Sequence, residues 1–132
     1  MSDKDYNQGK DNEIKMLPLI KVLLDDDTIR HTTKKYCPYD FVGDHKRIEL
    51  KTRNNTKHKY STTMISLSKI LDAECANLDY YFVFSFQDCN CFIKYDNKLF
   101  SKFEKKQGGR NDRGKAEMSQ YVYIPVDLLS DF

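Results

Sequence analysis

At 132 residues the chain suits one domain of ordinary size, able to bury roughly two-thirds of its unfolded surface and so to build a core without staples. Its 22 Lys and Arg nearly cancel 20 Asp and Glu, leaving a formal +2, which excludes a chain that coats nucleic acid by bulk charge; any such site is a local patch. No run reaches the roughly 18 apolar residues that span a bilayer, and the polar N-terminus has no signal-peptide core, so the chain reads as intracellular with reduced thiols.

In chain order, residues 1–12 read as a flexible tail and 13–132 as a single domain. Residues 13–24 predict a helix, with Ile14, Leu17, Ile20 and Leu24 near helical spacing; Pro18 either bends it or opens its second part. Three acids, Asp25, Asp26 and Asp27, oppose the helix dipole and predict early fraying. Residues 29–35 alternate weakly, as an edge strand would. Residues 39–42 and 46–53 are strand candidates around the turn signal Gly43-Asp44-His45. A basic loop over 54–60 follows, and Ser61 or Thr62 offers a cap for a helix carrying Met64, Ile65, Leu67 and Leu71. The aromatic and β-branched run 80–86 predicts a buried central strand, and Asp88-Cys89-Asn90 turns it into another over 91–95. Residues 107–114 read as a charged, glycine-bearing loop and 121–126 as a last strand. This order implies an α/β (α+β) fold with a mixed central sheet flanked by helices.

The informative stretch is residues 39–51. If Asp44-His45 is a two-residue loop, Asp40 faces Glu49, Phe41 faces Ile48 and Tyr39 faces Leu50. The hairpin then has an apolar face (Tyr39, Phe41, Ile48, Leu50) and a charged one (Asp40, Glu49, Lys51, Arg47). A loop of Gly43-Asp44 keeps Asp40 and Glu49 on the same side. Carboxylates opposed at about 5 Å repel unless a cation lies between them, and a hard, oxygen-seeking ion such as Mg²⁺ suits two carboxylates and waters. Lys51, on the same face, is placed to hold an attacking water or to stabilise charge on a phosphate.

Asp40, eight residues, then Glu49-Leu50-Lys51 resembles the core of the PD-(D/E)xK nuclease superfamily, which includes restriction enzymes and junction resolvases. Pro38 is separated from Asp40 by Tyr39, so the literal Pro-Asp pair is absent. The resemblance implies a restriction-endonuclease-like αβββαβ core and a metal-dependent (endo)nuclease that hydrolyses phosphodiester bonds in DNA. It gives Asp40, Glu49 and the Leu50 backbone carbonyl as ligands of Mg²⁺ (or Mn²⁺ as substitute), and Lys51 as the residue assisting water. Glu13, on the first helix, corresponds to an additional site acid of some members. Residues 49–53, 59–65 and 109–114 are also similar to nuclease-like proteins of large DNA viruses, which implies a virus-encoded protein in the cytoplasm or nucleus of a host cell.

Six basic residues lie between positions 46 and 59 against one acid, Glu49. Arg47, Arg53, Lys57 and Lys59 are therefore candidates for phosphate contact, as are Arg110, Arg113 and Lys115 in the glycine-bearing loop. His31, His45 and His58 lack fixed partners in the pattern. Cys89-x-Cys91 has a zinc-like look, but a metal site needs two more ligands, and all four cysteines read as free thiols. Two further functions stand beside nucleolysis: a catalytically silent nuclease fold that binds nucleic acid or assists assembly, and a protein-contact domain whose charged face is solvated. A homodimer that cuts both strands is compatible with the sequence, and no membrane association is expected.

Overall fold

The computed structural model describes residues 3–32, 39–110 and 117–132. The fold is α+β, with a mixed six-stranded sheet and a three-stranded one. The first helix, α1 (Asp3–Leu23), begins within the stretch read as a tail and continues through Pro18. That proline removes the bond to the Ile14 carbonyl, a cost offset by burial of Met16 and Ile20 on either side of it. The end of α1 is closed rather than merely frayed. Asp26 N–H donates to the Lys21 carbonyl at 3.0 Å and Asp25 N–H to that of Val22 at 3.2 Å, with Asp25 at φ 49°. That is the paired bonding of a Schellman end, with an aspartate in the left-handed position glycine usually takes. The Asp26 carboxylate then accepts from Thr28 N–H at 2.9 Å and from Lys46 Nζ at 2.9 Å, tying the helix end to the sheet.

The large sheet runs in the order β1 (Arg30–His31), β2 (Phe41–Val42), β3 (Lys46–Thr52), β5 (Asp79–Ser85), β6 (Asn90–Lys94) and β9 (Ser130–Asp131). Only β3 and β5 are parallel. The small sheet has β8 (Glu117–Pro125) between β4 (Thr62–Ser66) and β7 (Glu104–Arg110). Helices α2 (Leu67–Cys75) and α3 (Asn97–Phe100) complete the chain. The order of α1, three strands, α2 and β5 is the one expected, with β4 added before α2.

Two further segments differ from the sequence reading. Residues 62–66 form β4 instead of opening a helix: Thr63 and Ile65 are buried while Met64 is exposed, a period of two in a stretch rich in β-branched residues. Only after Ser66 does α2 begin. Residues 107–110, read as loop, extend β7, with Gly108 opposite Ser119 and Arg110 opposite Glu117. There, pairing with β8 supplies the backbone bonds that the glycines alone would not predict.

Both faces of the large sheet are covered, as the unbroken apolar run of β5 requires. On one face, Met16 and Ile20 of α1 meet Phe41, Ile48, Leu50 and Val83. On the other, Tyr80, Phe82 and Phe84 meet Ile65, Ile70, Phe100, Val122 and Ile124 from the helices and the small sheet. Gly43 lets the end of α1 approach the hairpin: a Cβ there would lie 3.1 Å from Thr28 Oγ1 and 3.2 Å from Asp26 Oδ2.

Candidate active site

The hairpin of β2 and β3 has the expected register. Gly43 N–H donates to the Lys46 carbonyl at 2.8 Å around the two-residue loop Asp44-His45, and Phe41 faces Ile48. One step further the pairing breaks. Asp40 N–H also lies 2.9 Å from the Ile48 carbonyl, so Asp40 and Phe41 both face one residue of β3, as in a β-bulge. The bulge reverses the alternation before it. Tyr39, placed by the sequence with Phe41 and Leu50, instead packs against the cluster of Tyr80 and Phe82, and the Arg47 guanidinium carbon lies 4.7 Å from its ring centroid.

Beyond the bulge β2 and β3 part, and the Asp40 side chain fills the gap. Its Oδ2 accepts from Leu50 N–H at 2.7 Å, where a strand carbonyl would otherwise continue the ladder. Glu49 lies opposite Phe82 of β5, between Arg47 opposite Tyr80 and Lys51 opposite Phe84. This face, read from sequence as the charged one, is covered by the second core, and Glu49 is only 3% exposed. Its Oε1 lies 3.0 Å from Lys51 Nζ and 3.5 Å from Lys69 Nζ, the latter reaching in from α2. Its Oε2 is buried with no hydrogen-bond partner among the described residues.

Glu49 senses the charge of Asp40. Burial, with the Glu49 charge opposed by Lys51 and Lys69, frames the site. It is burial first, and then the Asp40 charge, that pushes Glu49 up to about 7. Burial also pushes Asp40 up to about 6, against the Leu50 N–H bond that favours its ionised form; the Glu13 carboxylate, hydrogen-bonded to Asp40, adds to the rise. Glu13 is brought beside Asp40 by α1 and held by His31, whose Nε2 lies 2.7 Å from Glu13 Oε2. His31, set aside in the sequence, has a fixed partner after all. The Tyr80 hydroxyl and Arg47 Nε are buried without hydrogen-bond partners among the described residues, and burial together with the charges of Glu49, Asp72 and Asp40 pushes the Tyr80 phenol up.

The basic candidates divide. Lys59 is exposed, its ammonium 5.6 Å from the Tyr60 ring centroid. Arg53 instead joins the sheets: Nε donates to Thr63 Oγ1 at 3.3 Å, and Nη2 donates to the Met64 carbonyl. Lys57, read as a loop cation, is buried, its Nζ 2.8 Å from Asp131 Oδ1 and 3.3 Å from the Leu129 carbonyl. Arg110 is the last residue of β7, while Arg113 and Lys115 lie outside the described residues.

Sequence reasoning missed Lys69 and Tyr80. A lysine at the start of an amphipathic helix carries no distinguishing signal, and Tyr80 sits in an aromatic run whose ordinary meaning is core. Glu13 borders Asp40, the Asp40 charge reaches Glu49, and one Glu49 oxygen is buried and unpartnered among the described residues. Acids in such a place suit a hard dication, and the residues present fit one.

A family described as "Phage putative PDDEXK endonuclease" matches residues 31–132, and the chain belongs to that family. No curated protein matches it. The match covers Asp40, Glu49 and Lys51; Glu13 lies before it. Among the described residues no helix is long and apolar enough to cross a membrane.

Proposed function

We propose that this family member is a divalent-metal-dependent endonuclease that hydrolyses phosphodiester bonds in DNA. The observation that carries the reading is the burial of Glu49 beside Asp40 with one carboxylate oxygen unpartnered. Burying such an oxygen costs on the order of 1–3 kcal/mol, more for a charged group, unless something binds it.

Asp40 and Glu49 would hold Mg²⁺ (or Mn²⁺), with the Leu50 carbonyl as a further ligand and Glu13 as an added acid. The ion supplies positive charge for activating water and for the phosphate oxygens. Counted as ions, Glu13, Asp40 and Glu49 against Lys51 and Lys69 leave one net negative charge. A dication reverses it to one positive, which a phosphodiester's single negative charge then meets. Lys51, about one-third exposed, is the ammonium best placed to orient the attacking water. Lys69, from the opposite element, fixes the Glu49 carboxylate. Leu50 N–H holds Asp40 in the rotamer that faces the gap.

Contact with DNA phosphates falls to Lys59 on the surface and to Arg110, Arg113 and Lys115 beyond the described side chains. Arg53 and Lys57 instead brace the sheets, and Arg47 braces Tyr39. The test incubates the purified chain with supercoiled, single-stranded and branched DNA in Mg²⁺ or Mn²⁺. Cleavage that a chelator abolishes, and that Asp40→Asn loses while still retarding DNA on a gel, supports the assignment. Intact DNA across all three substrates and both metals would overturn it; retention of uncleaved DNA by the unmutated chain would favour a silent, binding role.

A further inference from the structure

A second group of metal-binding side chains lies away from the carboxylates. Cys89 closes the turn between β5 and β6, and Cys91 is the second residue of β6. Residues two apart on a straight strand are about 6.6 Å apart along the chain. Here the turn, closed by the 2.8 Å bond from Phe86 N–H to the Cys89 carbonyl, folds Cys89 inward until the two Sγ atoms are 3.7 Å apart. Opposite Cys91 across the β6–β9 ladder stands Asp131, forty residues further on, whose Oδ1 accepts from Cys91 Sγ at 2.9 Å. The three ligand atoms lie within 4.8 Å of one another.

We infer that Cys89, Cys91 and Asp131 form a binding site for a thiophilic divalent cation of the zinc class. A tetrahedral ion bound at about 2.3 Å to each of two sulfurs sets them about 3.8 Å apart, and the observed separation is close to that edge. Binding releases two thiol protons to solvent, so two thiolates, one carboxylate and a dication carry one net negative charge. The Lys57 ammonium, 2.8 Å from Asp131 Oδ1 and buried, supplies the compensating positive charge and is anchored independently by the Leu129 carbonyl. Cys91 is buried, Cys89 half-buried and Asp131 exposed, so the fourth position opens to solvent.

Two sulfurs and one oxygen select a softer ion than the three carboxylates beside β3 do, so the two sites would not compete for one metal. The ion would clamp three segments that are distant in sequence: the β5–β6 turn, β9 and, through Lys57, the 3₁₀ turn Lys57–Lys59. This inference does not rest on the nuclease reading, because its probe reports on sulfur and not on cleavage.

The test uses the full chain, reduced, in a C37S/C75S background so that only two thiols remain. Titration with Co²⁺ is expected to give sulfur-to-cobalt charge-transfer absorption that saturates at one equivalent, is displaced by Zn²⁺ and accompanies a higher melting temperature. C89S or C91S should remove that absorption, and D131N should weaken binding by about tenfold or more. Absence of the band at large excess of Co²⁺, or its survival in a C89S/C91S chain, overturns the site. On the unmutated protein, alkylation mapped by mass spectrometry gives a second reading. Zn²⁺ should protect Cys89 and Cys91 but leave the exposed Cys75 reactive; equal labelling of all of them with and without Zn²⁺ also overturns it.

Discussion

Ile48, Glu49 and Leu50 are consecutive on β3 and almost equally buried, at 0%, 3% and 6% exposure, yet they face opposite halves of the molecule. Ile48 and Leu50 meet α1 in an all-apolar cluster, where burial stabilises the fold by roughly 1.5–3 kcal/mol for each side chain. Glu49 meets the other core, where burial opposes the charge of the carboxylate it covers. The contrast teaches that burial alone does not identify a structural residue. One side of the strand holds the molecule together, and the other buries a carboxylate at a cost to stability.

The strongest way to break that contrast is to neutralise the acids. Asp40→Asn and Glu49→Gln are each expected to lower cleavage by about a thousandfold or more, about 4 kcal/mol of transition-state stabilisation. Stability of the metal-free protein at pH 8 should stay level or rise by about 1 kcal/mol, read by urea unfolding. A large loss of stability in Glu49→Gln would make Glu49 a structural residue like its neighbours. Next in size, Ile48→Ala should lower unfolding free energy by about 2–4 kcal/mol while cleavage per folded molecule is retained. If cleavage falls with it, the two faces are not separable.

Titration sharpens the same contrast. Asp40 and Glu49 are pushed to about 6 and about 7 from ordinary values of 3.8 and 4.5, so the folded chain still holds protons that the unfolded chain has released. Without metal, stability should therefore fall as pH rises from about 4 to about 7 and level off above. On the proposed function Mg²⁺ takes the deprotonated acids, so adding it should restore stability above pH 7 and do little at pH 5. A flat profile in unfolding experiments across that window would remove the cost assigned to the acid face. The smallest effect is a control that touches neither face: Asp25→Gly should raise stability by about 0.5–1 kcal/mol, since Asp25 occupies a left-handed position at φ 49°.

The hairpin register was legible because alternation around Gly43-Asp44-His45 admits few pairings. So was the identity of β5, because an aromatic, β-branched run has few other uses. The bulge at Asp40 was not, since it arises where β2 leaves β3, and that depends on what covers each strand. Tyr39 was misplaced for that reason. β4 was read as helix because Met64, Ile65 and Leu67 fit either period over so short a run; its partner β8, some sixty residues away, decides the matter. Glu13 entered through resemblance alone, and the helix spacing gave no sign that it meets Asp40. Asp131 could not be joined to Cys89 and Cys91 from spacing, because their meeting is a product of the β6–β9 ladder.

The two sheets are interleaved along the chain. β4 belongs to the small sheet, β5 and β6 return to the large one, β7 and β8 go back to the small, and β9 ends in the large. A fragment stopping before residue 117 would carry Asp40, Glu49 and Lys51, yet would leave β4 without β8 and β6 without β9. The two sheets are therefore expected to unfold together, so the residues proposed for catalysis should not survive transplantation as a self-sufficient half.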